Sequence, residues 1–280
     1  MKLFITDNFH HKNQYSLEKG LKEIGVIVVN NIIDADIIYS PNDPINISLY
    51  PNKKFIFGPH FSVIPNNKTE FNDKYKNAVY IQPSEWVKNL WVNEFKYDSL
   101  PVKIYSFGVN TDLFKPIDMN KKDIVFIYFK RRDPIELNYV INYVKSLGIL
   151  PIIFDYVKKY DEKYYLQILQ KAKYGIWIGS HESQGFALQE ALSCNVPLLI
   201  WNVTKLSQEF GSSNYNNINT IVTTIPYWND MCGEYFYNKE EFIDTYKLFI
   251  NKINEYQPRK FILDNLTIKD RALKFLELIQ

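Results

Sequence analysis

Residues Tyr174 to Trp201, YGIWIGSHESQGFALQEALSCNVPLLIW, restrict the fold more than any other stretch. A short apolar strand (Tyr174 to Ile178), a polar turn (Gly179 to Gln184), a helix opening near Gly185 and a second apolar strand (Val196 to Trp201) follow one another. Strands that are apolar almost throughout belong to parallel sheets covered on both faces. Ligands of such sheets bind beyond the carboxyl ends of the strands, where this turn lies. The turn and its helix carry two carboxylates, Glu182 and Glu190, eight residues apart.

The rest of the chain repeats the pattern. Lys2 to Thr6 reads as a strand, Asp7 to Tyr15 as a polar loop, and Ser16 to Ile24 as a helix capped by Ser16 and ended by Gly25. Val26 to Val29 and Asp36 to Tyr39 look like buried strands. Lys53 to Phe57, Ala78 to Gln82 and Val102 to Ser106 follow, each delivering loop residues at its end. A helix from Glu85 to Asn93 is expected, with Ser84 as its cap. Pro116 and a charged, weakly periodic tail place a domain boundary at 117/118. A second sheet then starts with Asp123 to Phe129, a helix from Pro134 to Leu147, a strand from Leu150 to Phe154 and a helix from Glu162 to Lys171. A later strand is expected at Asn219 to Thr223, with helices at Glu240 to Ile253 and Ile268 to Leu278. The economical architecture is α/β: two doubly wound, Rossmann-like domains facing each other across a cleft, 1–117 and 118–258, with 259–280 packing back on the first.

Composition excludes several functions. With 280 residues, 46% of them hydrophobic, the chain can build proper cores. Its 33 basic and 31 acidic residues cluster only briefly, which favours no nucleic-acid or polybasic membrane surface. Cys194 and Cys232 cannot form a disulfide framework, so a reducing, cytoplasmic setting is expected. No apolar run is long enough for a membrane helix, which leaves only peripheral membrane contact. Asp34-Ala35-Asp36 matches a D-x-D string, but it reads as the entry to a buried strand, and no other acid, His or Cys cluster has metal-ligand spacing. Phosphate-loop, dinucleotide and acyl-hydrolase motifs are absent from the sequence.

Around the two glutamates the residue types suit hydroxyl groups at the carboxylates and an anion at the helix start. Glu190 stands among Phe186, Leu188, Ala191 and Leu192, so its carboxylate sits beside a buried helix face. It needs donors, and ribose hydroxyls supply two. Ser183, Gln184, Gly185 and Phe186 form the helix N-terminus, whose backbone N–H groups favour phosphate, with Gly185 permitting close approach. Glu182 would repel phosphate and suits sugar hydroxyls instead.

The segment GSHESQGFALQEALSCNVPLLI resembles the nucleotide-sugar motif of retaining glycosyltransferases of the GT-B fold, especially glycosyltransferase family 4. Glu182, Gly185, Glu190, Ala191, Asn195 and Pro197 fill its places, with Asn195 where the family usually has Gly. YIQPSEWVKNLW is similar to the family's S-E-W helix entry, and YSFGVNTDLFKP to its exit from the first domain.

The resemblance implies that Glu182 holds donor sugar hydroxyls, Glu190 the ribose, and the backbone from Gln184 to Phe186 the diphosphate. Lys130, Arg131 and Arg132, ending the first strand of the second domain, stand where basic groups neutralise that diphosphate, although the family's Gly-Arg with a spaced Lys is not reproduced. His60 matches the histidine that approaches the donor sugar, and His60 and Glu182 are the candidate catalytic residues. His10, His11 and Asn13 lie in the loop where the family has a glycine-rich turn near the acceptor; no glycine stands there. The implied function is metal-independent, cofactor-free transfer of a sugar from a nucleotide diphosphate donor to a glycan or other hydroxyl acceptor, with retention. A sugar-nucleotide epimerase, an inverting transferase or an inactive nucleotide-sugar-binding subunit are the alternatives.

Overall fold

The computed structural model describes residues 1–71, 77–117, 123–211 and 218–279. In chain order its principal elements are β1 (Lys2–Ile5), α1 (His11–Glu23), β2 (Ile27–Val28), β3 (Ile37–Ser40), β4 (Lys54–Phe57), β5 (Ala78–Gln82) and α2 (Glu85–Asn89), which runs on as a π-helical turn (Leu90–Glu94). Then come β6 (Val102–Ile104), β7 (Ile124–Lys130), α3 (Pro134–Ser146), β8 (Ile152–Asp155), α4 (Glu162–Leu169), β9 (Ala172–Gly179) and α5 (Phe186–Ser193). The chain closes with β10 (Leu198–Trp201), β11 (Gly233–Phe236), α6 (Phe242–Asn251), α7 (Pro258–Asn265) and α8 (Ile268–Glu277).

Two compact units divide these elements. The first is Met1–Gly108 with Leu266–Gln280, and the second is Val109–Asn265. The boundary read from the sequence borders residues 118–122, which lie outside the described ones. Residues ahead of it belong with the second unit because Arg259 of α7 donates to the carbonyls of Thr111 and Phe114 as well as to that of Ser193 at the end of α5.

The first unit is one parallel sheet in the order β2-β1-β3-β4-β5-β6. All of β3 and β5 is buried, as their apolar runs require of strands covered on both faces. Helix α8 returns to this sheet. Phe275 sits edge-on to Tyr39 of β3 (5.1 Å) and to Tyr105 (5.2 Å), and Arg271 Nε donates to the Ser106 carbonyl at 2.8 Å. Three expectations need correction here. Helix α1 starts at His11 rather than at Ser16, because Gln14 reaches back to accept the Phe9 N–H and tightens the first turn; Ser16 is a buried residue of the helix interior. Strand β2 is an exposed two-residue edge, since it pairs with β1 alone. Ser84 precedes α2 without a side-chain capping bond.

The second unit is a parallel sheet in the order β11-β10-β9-β7-β8. Val125, Ile127, Ile176, Ile178 and Leu199 form its core with Val140 and Val144 of α3 and Phe249 of α6. Asp133 and Asp161 cap α3 and α4 by accepting backbone N–H groups, as turn-forming acids do. The strand expected at Asn219 to Thr223 does not form. The end of the segment is held in a turn instead: the Thr223 carbonyl accepts Glu182 N, Val222 N donates to the Thr204 carbonyl, and the Asn202 side chain accepts from Thr223 Oγ1 and Thr224 N. The edge strand is Gly233–Phe236.

Packing of α8 on α1 depends on Gly20. A Cβ there would lie 2.7 Å from both Ala272 Cβ and the Ile268 carbonyl, the latter being backbone that cannot rotate away. Gly20→Val is expected to destabilise the first unit by about 1–3 kcal/mol, read as a lower midpoint in denaturant unfolding.

Candidate nucleotide-sugar site

Strand order in the second sheet reverses between β7 and β9, with β8 on one side and β10 and β11 on the other. A crevice beyond the carboxyl ends of such a pair is where doubly wound sheets take ligands. The two strands end level: Lys130 pairs with Gly179, and Ser180 N donates to the Lys130 carbonyl at 2.9 Å. Beneath that end Tyr128 and Trp177, also paired in register, stack with centroids 3.9 Å apart. The chain beyond β9 then turns so that Glu182 Oε1 and Oε2 stand 2.8 and 2.9 Å from Lys130 Nζ. Glu182 is 8% exposed, and the Lys130 ammonium also lies 4.7 Å from the Tyr156 ring centroid just past β8.

The three consecutive basic residues have separate fates. Lys130 faces Glu182. Arg131 adopts φ +50°, turning an exposed side chain towards Glu209, with Nη1 to Oε1 at 3.0 Å, and towards the Tyr156 ring. Arg132 points inward and is 3% exposed. It donates to the carbonyls of Gly179 and Trp201 at 3.2 and 3.3 Å, and to Glu136 Oε1 at 2.6 Å. Arg132 thereby ties together the ends of β9, β10 and α3, and its guanidinium is committed to the protein's own carbonyls.

Gly185 opens α5 in the left-handed conformation, φ +70°, which only a residue without Cβ adopts freely. The turn is locked by a reciprocal amide pair: Gln189 Nε2 donates to the Gln184 carbonyl at 2.6 Å, and Gln184 Nε2 to Gln189 Oε1 at 3.2 Å. Ser183 is exposed, Gln184 is buried and Phe186 half-buried. Glu190, 3% exposed, lies one turn into α5, and its charge helps to hold the Tyr165 phenol protonated, after the larger effects of burial, Tyr160 and Tyr128. At the other end of α5, Asn195 takes φ +58°, the conformation a helix exit demands and for which Asn is the usual substitute for Gly.

His181, next to Glu182, places Nε2 3.5 Å from Glu209 Oε2. Burial is the largest influence on this imidazole and lowers its pKa, against the raising effect of Glu209 and Glu182. At neutral pH the contact is therefore one between a neutral ring and a carboxylate.

In the first unit the equivalent reversal lies between β1 and β3. Asn13, buried on α1, places Nδ2 2.9 Å from His60 Nε2, beyond β4. With the amide donating, Nε2 accepts and the ring proton sits on Nδ1. Burial, and secondarily His10, push the His60 pKa down to about 4. His10 stacks on His11 at 4.9 Å and on His60 at 6.4 Å, and Phe9 lies 6.0 Å from His60. The rings of His10, His11 and His60 and the amide of Asn13, chosen from separate stretches of sequence, thus form one cluster. Among the described residues, no group of three or more His, Cys, Asp or Glu side chains is arranged to hold a metal, and no helix is long and apolar enough to cross a membrane.

Sequence reasoning missed Tyr156, Glu209 and the Asn202–Thr223 turn. Tyr156 follows β8 directly and so stands at a carboxyl end by the same rule that singled out Glu182. Glu209 has no such signal: it follows a 3-10 turn (Leu206–Gln208) in an irregular stretch, and only the fold brings it to Arg131.

No protein-family model matches the chain, and no curated protein matches it in sequence. Solved structures do. The apo form of the lipopolysaccharide outer core galactosyltransferase WaaB is similar over 100% of this chain and 99% of its own, with a TM-score of 0.52 and 13% identity. WaaG, a glycosyltransferase involved in lipopolysaccharide biosynthesis, is similar over 100% of both chains, at a TM-score of 0.51 and 8% identity. The catalytic domain of starch synthase IV from Arabidopsis thaliana, bound to ADP and acarbose, is similar over 95% of this chain and 75% of that one, at a TM-score of 0.55 and 10% identity. The two parallel sheets and these likenesses define the class: an α/β protein with the GT-B fold of glycosyltransferases.

Two outcomes follow from the site's electrostatics. An unfolded histidine titrates near about 6.5, whereas His60 in the fold titrates near about 4, so the unfolded chain binds the extra proton between these values. Stability from this source is complete above the upper value and is lost as pH falls through the window. In His60→Gln the drop in melting temperature between pH 7 and pH 4.5 should be smaller than in the wild type. Arg132→Met should lower stability by about 3 kcal/mol, since Glu136 and two carbonyls lose a buried cationic partner, and this is measured by denaturant unfolding.

Proposed function

We propose that the protein is a glycosyltransferase that moves a sugar from a nucleotide diphosphate donor to the hydroxyl of a glycan or other acceptor, with retention and without a metal. The observation that carries the reading is the placement of Lys130, Glu182 and the Gly185-opened helix together at the β7/β9 reversal. Three chemically distinct needs of such a donor are supplied there within a few residues. Lys130 and the exposed Arg131 provide fixed positive charge for the diphosphate, and the start of α5 adds N–H groups with the positive end of its dipole. Glu182 accepts from sugar hydroxyls. Glu190, buried in α5, accepts from the ribose.

Preformed charge is what this reaction requires. As the anomeric carbon parts from the phosphate oxygen, negative charge builds on the leaving nucleotide, and cations already in place stabilise it without reorganisation. The acceptor oxygen bonds the anomeric carbon on the face the phosphate leaves, and the acceptor proton passes to the departing phosphate oxygen. Glu182 serves as a hydroxyl acceptor in this scheme and forms no covalent intermediate. The first unit is assigned to the acceptor side, where His60, neutral at physiological pH and protonated at Nδ1, offers a hydrogen bond to a substrate oxygen in company with Asn13, His10 and His11. The WaaB, WaaG and starch synthase structures support the reading through their fold.

Incubation with a panel of nucleotide sugars, with and without glycan acceptors, is expected to release free nucleotide in an acceptor-dependent manner with at least one donor. Lys130→Met should lower that turnover about 100-fold, as loss of a preorganised charge at the leaving group does. Glu190→Gln should weaken donor binding about tenfold by replacing a charged acceptor with a neutral one. If no nucleotide sugar releases nucleotide or raises the melting temperature, the reading is wrong.

A further inference from the structure

Lys130 and Glu182 satisfy each other before any ligand arrives. The ammonium is held by both carboxylate oxygens, at 2.8 and 2.9 Å, and both side chains are largely withdrawn from water. In the proposed donor complex each is wanted elsewhere: the cation at the diphosphate, the carboxylate at the sugar. A phosphate that draws Lys130 away removes from a buried carboxylate the cation that both of its oxygens face, which is the costly way to break such a pair. A phosphate that shares Lys130 with Glu182 brings two anions together around one cation, which is also unfavourable.

What relieves either state is a set of donors for Glu182. A nucleotide sugar carries them as ring hydroxyls on the far side of the diphosphate. A bare nucleoside diphosphate carries none there. We propose that Glu182 is a selectivity element that opposes a bare nucleoside diphosphate and admits one bearing a sugar. The same contact favours departure of the spent nucleotide, because once the sugar has been transferred Glu182 recovers Lys130 from the phosphates. The inference rests on the donor-site reading and specifies how that site chooses between substrate and product.

The test is calorimetric titration of the full chain with the uridine, adenosine and guanosine diphosphates and with a hexose conjugate of each. Wild type, Glu182→Gln and Glu182→Ser are compared, two variants being used so that a folding defect in one does not decide the matter. For the nucleotide that binds, the bare diphosphate is expected to bind both variants about tenfold more tightly than wild type, because removing the carboxylate frees the cation. The preference for the sugar conjugate over the bare diphosphate should shrink by at least the same factor. Unchanged or weaker binding of the bare diphosphate to both variants overturns the selectivity role while leaving the donor site standing. Absence of binding by any of the six nucleotides to any of the three proteins overturns the donor-site reading, and this inference with it.

Discussion

Everything in the second unit depends on two parallel strands ending side by side. Strands β7 and β9 are neighbours in space but not in sequence, with β8 and its flanking helices on the crossover between them. Their register sets Lys130 against Gly179 and Tyr128 against Trp177. The stacked aromatic pair makes a broad, stiff floor, about 0.5–1.5 kcal/mol better than burial alone would give. On that floor a cation from one strand and a carboxylate from the loop after the other meet with both oxygens engaged. Neither residue could place the other without the register.

The charges around this point are distributed by depth. Each of three consecutive basic residues meets a different glutamate: Lys130 meets Glu182, Arg131 meets Glu209 and Arg132 meets Glu136. The left-handed backbone at Arg131 breaks the alternation of the strand and sends its side chain outward, while Arg132 turns inward against carbonyl oxygens. Arg131 is the most exposed of the three cations, Arg132 the most buried, and Lys130 lies between them. A run that reads as one basic loop is thus three different devices.

The first unit applies the same geometry to neutral groups. Its β1/β3 reversal carries imidazoles and an amide where the second unit carries an ion pair. Burial keeps His60 neutral, and the Asn13 amide selects which ring nitrogen bears the proton. Such a cluster offers hydrogen-bonding groups without adding net charge.

Much of the framework was legible because it is local. Apolar runs gave the strands β3, β5, β7, β9 and β10, Pro134 marked the start of α3, and Gly185 marked the start of α5. The misreadings differ in cause, one lying in a side chain a few residues away and the other in contacts distant in sequence. Helix α1 begins early because Gln14 satisfies Phe9, and Asn219 to Thr223 forms no strand because Glu182 and Thr204 take backbone bonds from Thr223 and Val222 while Asn202 holds the Thr223 hydroxyl and Thr224 N. The sequence by itself determined the class of fold and the edge of each sheet on which polar residues gather, since periodicity and turn chemistry act over a few residues. Only the tertiary structure decided which polar residue meets which. The pairing of Lys130 with Glu182, the burial of Arg132 and the joining of Asn13 to His60 depend on strand order and register, and these are set by the packing of whole elements.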